Sequence, residues 1–137
     1  MLEVLIFSFS YKKSTLPFNE SEHGGGFVFD CRCIPNPGRE EKFKERTGKD
    51  ADVKDFLMNQ SEANEFFDNV KKIAEQACSK YLDRGFDQLM FCFGCTGGQH
   101  RSVYFAEKLA DLLDRNEDIK VILKHCELPK IMKRLGR

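Results

Sequence analysis

The stretch Phe91-Cys92-Phe93-Gly94-Cys95-Thr96-Gly97-Gly98-Gln99-His100-Arg101-Ser102-Val103 decides the fold of this chain. The apolar run from Leu89 to Phe93 predicts a buried strand, and a glycine-rich turn follows it. After the turn, apolar residues recur in steps of three and four, as on one face of a helix: Val103, Ala106, Leu109, Ala110 and Leu113. A strand, a tight turn and a helix start are therefore predicted to meet here.

The turn between this strand and this helix has the composition of an anion site. The first N–H groups of a helix lack intrahelical partners, and the helix dipole places partial positive charge beside them. Glycines allow the backbone to approach a ligand closely, and Arg101 adds a permanently charged planar donor suited to phosphate. The sequence therefore predicts a phosphate-binding loop that comprises Thr96, Gly97, Gly98, Gln99, His100, Arg101 and Ser102.

The rest of the chain alternates strand and helix patterns with long crossovers. This order predicts one α/β domain over residues 1–137, a three-layer sandwich with a mostly parallel sheet. Asp50 is placed to cap one short helix, and Gly85 to end a long one. Strands are predicted at 4–8, 27–34, 89–93 and 119–124, and helices at 51–57, 61–84, 103–114 and 128–135, with an irregular charged stretch at 39–49.

Polar residues follow several of these predicted strands. In open parallel sheets, ligands bind at the carboxyl ends of the strands. That rule brings the exits of the first two strands, and His125 after the last one, to the same edge as the loop. The further candidate ligand contacts in these segments are Ser8, Lys12, Asp30, Arg32 and Asn36.

Charge and length narrow the possible functions. The chain has 137 residues, with 22 Lys and Arg against 22 Asp and Glu, so no global charge favours nucleic acid. The distribution is uneven, because basic residues dominate after residue 119. Such a segment either meets an acidic partner such as RNA or is a solvated end. Its members are Lys120, Lys124, Lys130, Lys133, Arg134 and Arg137, against Glu127 alone.

Six cysteines are present, but no pair of Cys-x-x-Cys elements, so we expect no metal site. Cys31, Cys33 and Cys78 are expected to be buried core thiols. The apolar start of the chain is too short for a signal peptide and carries Glu3, and no run reaches membrane-spanning length. We therefore expect a cytoplasmic protein with reduced thiols and no membrane contact.

The loop does not match the common nucleotide motifs, since GxxxxGK[ST] and GxGxxG are both absent. Its spacing does match a catalytic one. Cys95, Arg101 and Ser102 reproduce the C-x5-R-S pattern of cysteine-dependent phosphatases, in which a thiolate attacks phosphorus. Gly94 stands where those enzymes usually have histidine, and Asp30 is the one candidate for their general acid.

A weaker catalytic likeness links the loop to a nucleophile elbow. Gly94 to Gly98 mimics the elbow, with Cys95 or Thr96 as the nucleophile, and His23-Gly24-Gly25-Gly26 mimics an oxyanion loop.

Four segments of the chain together carry a family resemblance: Cys95–Val103, Ser8–Lys12, Phe29–Pro37 and Thr47–Gly48. They resemble the C-terminal domain of the RapZ family, whose members are RNase adapters and nucleotide-binding P-loop proteins. The resemblance runs from about Val4 to His125. It implies a phosphofructokinase-subdomain-like α/β unit that senses glucosamine-6-phosphate, takes part in RNA binding and self-associates, and that partners a ribonuclease or regulatory protein.

The chain departs from that family in three ways that bear on ligands. Its loop to the second strand looks longer than the family's, with its own His23 and three glycines. The family's kinase-like half, with its Walker motifs, is not in this sequence, so no ATP or GTP cofactor is expected. The family continues Tyr-Lys with His-Gly, whereas this chain has Lys13-Ser14. An ammonium group thus replaces an imidazole near the expected site.

Some candidate residues also have purely structural interpretations. Cys95 either fits the turn as a small residue or is a nucleophile, and His100 either orients the loop through a backbone hydrogen bond or contacts the ligand. Asp30 and Arg32 are expected to pair with each other. Asn36, between two prolines, either serves the turn or binds ligand.

Overall fold

The computed structural model describes residues 1–17 and 25–137, and one parallel sheet organises them. Within these residues the sheet has four strands in the order β2-β3-β1-β4, and every neighbouring pair is parallel. The prediction of an α/β domain with a mostly parallel sheet is confirmed. The strands are β1 (Leu2–Ser10), β2 (Gly26–Asp30), β3 (Gln88–Cys95) and β4 (Ile119–His125).

The helices lie close to their predicted positions. They are α1 (Ala51–Met58), α2 (Ser61–Arg84), α3 (Arg101–Leu113) and α4 (Leu128–Arg134). Gly85 ends α2 in the left-handed conformation at φ +68°, where its N–H donates to the carbonyls of Leu82 and Tyr81.

Both faces of the sheet carry buried apolar side chains, consistent with the three-layer arrangement. On the face that packs against α3, Phe91 stacks on Phe27 with ring centroids 5.5 Å apart, and Phe93 lies 6.4 Å from Phe105 of that helix. A smaller cluster of Phe9, Met90 and Cys92 lies on the opposite face. The central strands are therefore apolar along nearly their whole length, as expected of strands covered on both sides.

The end of the second strand differs from the prediction. β2 stops at Asp30, and a 3-10 turn over Cys31–Cys33 replaces the predicted continuation to Ile34. The cause is local, because the Asp30 side chain accepts the N–H of Arg32 at 2.9 Å and so caps the turn. The turn leaves Cys33 exposed, so the expectation of a buried thiol there is wrong, whereas Cys31 and Cys78 are buried.

The Asp50 prediction is also wrong in its detail. Asp50 occupies the N-cap position of α1, but its side chain makes no capping bond to that helix. It accepts the N–H of Thr47 at 2.8 Å and pairs with Arg137 at 2.7 Å, which lowers the pKa of Asp50 to about 2. The Asp50 carboxylate therefore binds partners outside α1 instead of the first N–H groups of that helix. The predicted irregular stretch 39–49 contains the short 3-10 turn Glu41–Phe43 and the last residue of another, Pro37–Arg39.

None of the helices within residues 1–17 and 25–137 is both long and apolar enough to cross a membrane.

Candidate functional site

The glycine loop joins the carboxyl end of β3 to the start of α3. Gly98 adopts φ +68°, and a side chain there would meet Glu127, with Cγ 3.0 Å from the added carbon. His100 precedes α3, and within the described residues its side chain makes no capping hydrogen bond to that helix. The first N–H groups of α3 are therefore left for a ligand or for water.

A cavity of about 370 Å³ opens beside this loop. Most of the predicted loop residues line it, together with Asn36. Gly38 and Lys44 also line it, although the sequence did not predict them as site residues. Lys44 lies in a charged stretch without periodicity, so the sequence pattern could not separate it from neighbouring solvent-exposed lysines and glutamates. The lining residues are Asn36, Gly38, Lys44, Cys95, Thr96, Gly97, Gln99, His100 and Arg101.

Arg101 is the buried cation at this cavity, with only 5% of its surface exposed. Its Nη1 donates to the backbone carbonyls of Arg32 and Ile34, both at 3.0 Å. Its Nε is buried and has no hydrogen-bond partner within the described chain. Buried N–H groups are nearly always paired, so Arg101 Nε is a buried donor that the described chain leaves unsatisfied.

Asn36 serves both the turn and the cavity. Its Oδ1 accepts the N–H of Gly38 at 2.9 Å and caps the turn that begins at Pro37. The structural interpretation of Asn36 is thus confirmed. Its side chain also lines the cavity, where the amide nitrogen is available as a neutral donor.

Gln99 and His100 hold the loop against the segment 43–48. Nε2 of Gln99 donates to the carbonyls of Lys44 and Arg46, at 2.9 and 2.8 Å. Nε2 of His100 lies 2.8 Å from the carbonyl of Phe43, and since a carbonyl only accepts, Nε2 carries the proton. Burial lowers the pKa of His100. The predicted orienting role of His100 is confirmed, and its ring also lines the cavity.

Gly48 completes this support. The Gly48 N–H donates to the carbonyl of Gln99 at 2.9 Å. A side chain on Gly48 would collide with the His100 carbonyl and come within 2.6 Å of the Tyr104 nitrogen. A glycine is therefore required where the segment touches the start of α3.

Cys95 and Ser102 form a buried pair behind the loop. The Cys95 thiol donates to the Ser102 hydroxyl over 3.1 Å, and only 2% of Cys95 is exposed, although it lines the cavity floor. Gly94 is explained by packing, since a side chain there would collide with the rings of Phe9 and Tyr11.

The other predicted ligand contacts on the exits of β1 and β2 lie outside this cavity. The Asp30–Arg32 pair is confirmed at 2.6 Å, but both side chains are exposed, and the guanidinium of Arg32 lies 3.9 Å above the Tyr11 ring. Asp30 and Lys12 do not line the cavity, while Arg32 lines a neighbouring one. The Arg32 hydrogen bonds lower the pKa of Asp30.

Ser8 lies on the other half of the sheet edge, where it is fully buried. Its hydroxyl is 2.7 Å from Nδ1 of His125, whose Nε2 lies 3.3 Å from Oε1 of Glu107. A carboxylate only accepts, so His125 donates from Nε2 and accepts from Ser8 at Nδ1. Burial lowers the pKa of His125, and Lys49 lies 3.7 Å from the same Glu107 oxygen.

No group of three or more His, Cys, Asp or Glu residues that could hold a metal occurs in the described parts of the chain. His23 and Gly24 of the proposed oxyanion loop lie outside the described residues.

Comparison with known proteins places most of the chain in one family. A family model described as the RapZ C-terminal domain matches residues 2–129. The chain is 41% identical over 124 residues to a nucleotide-binding protein of Thermosipho melanesiensis, covering 90% of this chain and 41% of that protein. It is 40% identical over 128 residues to a nucleotide-binding protein of Ruegeria sp., covering 93% and 40%. The chain thus spans about two-fifths of the length of these relatives.

Proposed function

The chain belongs to the RapZ C-terminal domain family, and we propose that it is a regulatory domain that binds a phosphorylated small molecule without transforming it. The phosphate occupies the cavity at the start of α3. An amino-sugar phosphate such as glucosamine-6-phosphate is the proposed ligand. A cytoplasmic location, self-association and an adapter role toward RNA, a ribonuclease or another regulatory protein belong to the same proposal, and the free state of all six cysteines supports the location.

The observation that carries this proposal is the unpartnered Nε of Arg101 at an uncapped helix start. A phosphate oxygen at that position would accept from Arg101 while the others accept from the first N–H groups of α3. Lys44, whose ammonium pairs with the exposed Glu41 at 3.0 Å, and the Asn36 amide add a cation and a neutral donor to the cavity lining. The single cavity thus supplies charge and directed donors, the two requirements of a phosphate site.

The relatives are called nucleotide-binding proteins, yet that property need not lie in this part of them, since the match covers about two-fifths of their length. GxxxxGK[ST] is absent from this chain. We therefore propose no ATP or GTP cofactor for it.

The first test is an NMR titration with inorganic phosphate, glucosamine-6-phosphate and unphosphorylated glucosamine. We expect both phosphate compounds to shift the amides of Thr96 to Ser102, and the sugar phosphate to shift the Asn36 side-chain amide as well. Glucosamine alone should leave Gly97 unchanged. If saturating phosphate and phosphosugar leave Gly97 and Gly98 unshifted, the loop is not an anion site.

Two variants separate binding from folding. Arg101→Ala should abolish the response, but it also unpairs the Arg32 and Ile34 carbonyls and so destabilises the fold. Asn36→Asp keeps an acceptor for the Gly38 N–H while placing a negative charge in the cavity. We expect it to weaken phosphate binding by on the order of tenfold, with little change in stability, because a like charge opposes the ligand. If the Asn36→Asp variant binds phosphate with unchanged affinity, the phosphate does not bind in this cavity.

A cysteine-dependent phosphatase is the second candidate, favoured by the bond between Cys95 and Ser102. A hydroxyl beside the sulfur is suited to stabilising a thiolate nucleophile. Against this candidate, hydrogen bonds from Arg32 lower the pKa of Asp30, which disfavours the protonated form that a general acid requires. Asp30 also does not line the cavity that Cys95 lines.

Hydrolysis of an aryl phosphate distinguishes the two candidates. We expect no turnover by the wild type, and Cys95→Ser should keep both fold and phosphate binding. Steady hydrolysis by the wild type that disappears in Cys95→Ser would make the protein a phosphatase.

A further inference from the structure

Gly136 and Arg137 form an ordered end to α4. Gly136 adopts the left-handed conformation at φ +73°, and the Arg137 N–H donates to the Met132 carbonyl at 2.8 Å. A bond that spans six residues around a left-handed glycine is the Schellman motif, which satisfies the last carbonyls of a helix. The backbone of Arg137 is therefore held against α4, whose Leu128 and Ile131 side chains are buried.

The side chain of Arg137 reaches from this helix end to the segment that supports the glycine loop. Its Nη1 and Nη2 donate to the two carboxylate oxygens of Asp50 at 2.8 and 2.7 Å, a paired geometry that the arginine fork provides. Nη1 also lies 3.4 Å from the Glu45 carbonyl. Arg137 thus contacts both ends of the segment 45–50.

This segment contacts the loop directly. The Asp50 carboxylate that binds Arg137 also accepts the Thr47 N–H at 2.8 Å, and Thr47 is only 1% exposed. The next residue, Gly48, donates its N–H to the Gln99 carbonyl at 2.9 Å. A continuous path of hydrogen bonds and one peptide link therefore joins the end of α4 to the loop.

From this geometry we infer that Arg137 is a positioning residue for the glycine loop and couples the end of α4 to the proposed phosphate site. The inference rests on the proposed function and adds a means of regulating that site. Arg137 does not line the loop cavity, so it acts through Asp50 and the segment 45–50 and not by touching the ligand. A displacement of the end of α4 should weaken phosphate binding, and bound phosphate should favour the docked end of α4 by the same free energy.

The test measures the affinity for inorganic phosphate by NMR titration of the full chain and two variants, Asp50→Asn and Arg137→Gln. The introduced amide oxygen in Asp50→Asn can still accept the Thr47 N–H, so this variant removes chiefly the ion pair. Both variants should bind phosphate about fivefold more weakly, at the low end of the coupling found between distinct sites. The double variant should bind no more weakly than either single variant, because both changes break the same contact.

The sign of the Asp50→Asn effect separates positioning from simple electrostatics. Loss of a carboxylate by itself favours a nearby anion, whereas loss of a guanidinium disfavours it, so charge alone would move the two variants in opposite directions. Gly136→Ala gives a variant without any charge change. It strains the left-handed turn before Arg137, although the added methyl group meets nothing within 4 Å, and it should also weaken phosphate binding.

Arg134→Gln is the matched control. It removes the same charge from an exposed residue of α4 that makes no ion pair with described residues and does not line the loop cavity. Its phosphate affinity should equal that of the wild type.

The side-chain amide of Gln99 gives a readout that a purely structural pair would not move. In the ligand-free protein it donates to the carbonyls at positions 44 and 46. Its NMR signals should shift toward those of a solvent-exposed glutamine in Asp50→Asn and Arg137→Gln, but not in Arg134→Gln. If Asp50→Asn binds phosphate more tightly, or if both variants lose stability with unchanged affinity, Arg137 does not position the loop and the phosphate site stands. If the wild type binds no phosphate, the proposed function fails, and the role of Arg137 fails with it.

Discussion

The two halves of the sheet's carboxyl edge treat their polar residues in opposite ways. The β1–β4 half is the closed half, because its polar side chains satisfy one another. A chain of hydrogen bonds joins Ser8 to His125 and His125 to Glu107, and Lys49 pairs with Glu107. On the β2–β3 half, Arg101 keeps a buried N–H without a partner in the described structure, next to an open cavity. Polar residues at a strand end therefore indicate a ligand only where the protein does not satisfy them itself.

Ser14 gives the closed half a further link. Its hydroxyl donates to the buried carboxylate of Glu127 at 2.5 Å and accepts the Ser10 N–H at 3.1 Å. Ser14 follows Lys13 at the point where the sequence departs from the RapZ pattern. The serine thus has a structural partner on the half that we do not assign to a ligand.

The largest expected effect comes from Gly48, which lies between the two halves. Gly48→Ala would push a methyl group into the His100 carbonyl and the Tyr104 nitrogen, so the loop or the segment must move. We expect a loss of about 2–3 kcal/mol in the free energy of unfolding, measured in urea, because overpacking against backbone is poorly relieved. Phosphate binding should weaken with it.

Gly97→Ala is the matched control for this change. A methyl group at Gly97 meets nothing within 4 Å, and Gly97 does not adopt a positive φ. Its stability should stay within about 0.5 kcal/mol of the wild type, as for unstrained surface substitutions. Equal destabilisation by the two variants would show that Gly48 does not support the loop as the packing indicates.

How far the sequence alone could lead differs between local patterns and contacts that depend on the fold. The strand, turn and helix around the loop were predictable because hydrophobic periodicity and glycines indicate them directly. The roles of Ser8 and Lys44 were not, because they depend on which residues distant in the chain become neighbours. Ser8 meets His125, 117 positions away, and Lys44 approaches the loop through the Gln99 side chain. Likewise, Asp30 ends its strand through a side-chain bond that alternation does not reveal.

The next effect tests whether the closed half is purely structural. Ser8→Ala leaves Nδ1 of the partly buried His125 without its donor. A buried polar group without a partner costs about 1–3 kcal/mol, and the partial exposure of this ring favours the lower end of that range. We expect a loss in that range by urea unfolding, with unchanged affinity for inorganic phosphate. If a stably folded Ser8→Ala variant loses phosphate binding, Ser8 contributes to the ligand site and the two halves do not differ as described.

A smaller effect should appear in the pH dependence of stability. Burial lowers the pKa values of His100 and His125 below the ordinary value of 6.5, so the unfolded chain binds protons more readily than the folded one. The stabilisation is fully present above about pH 6.5 and is lost as the pH falls toward the folded-state pKa values. The unfolding free energy should therefore decrease between neutral pH and about pH 5.

His125→Gln provides the control for this pH effect, because glutamine does not titrate. The unfolding free energy of the variant should decrease less steeply over the same pH range, because only His100 still contributes to the decrease. If the wild-type stability is constant from neutral pH to about pH 5, the two rings are not held neutral by burial.

The smallest expected effect concerns the basic residues of α4, which begins next to the closed half. Lys130, Lys133 and Arg134 are exposed and make no ion pair with described residues, so their charge is free to attract a phosphate backbone. Replacing all three with glutamine should leave the affinity for glucosamine-6-phosphate unchanged, since none of them lines the loop cavity.

RNA binding by the wild type should be weak, sequence-indifferent and lost near physiological salt, because counterion release makes multi-phosphate contacts strongly salt-dependent. The phosphosugar response should depend only shallowly on salt, because few charges are neutralised. Tight RNA binding at that salt, abolished by the triple replacement, would instead make α4 the primary binding surface and the open half of the sheet edge secondary to it.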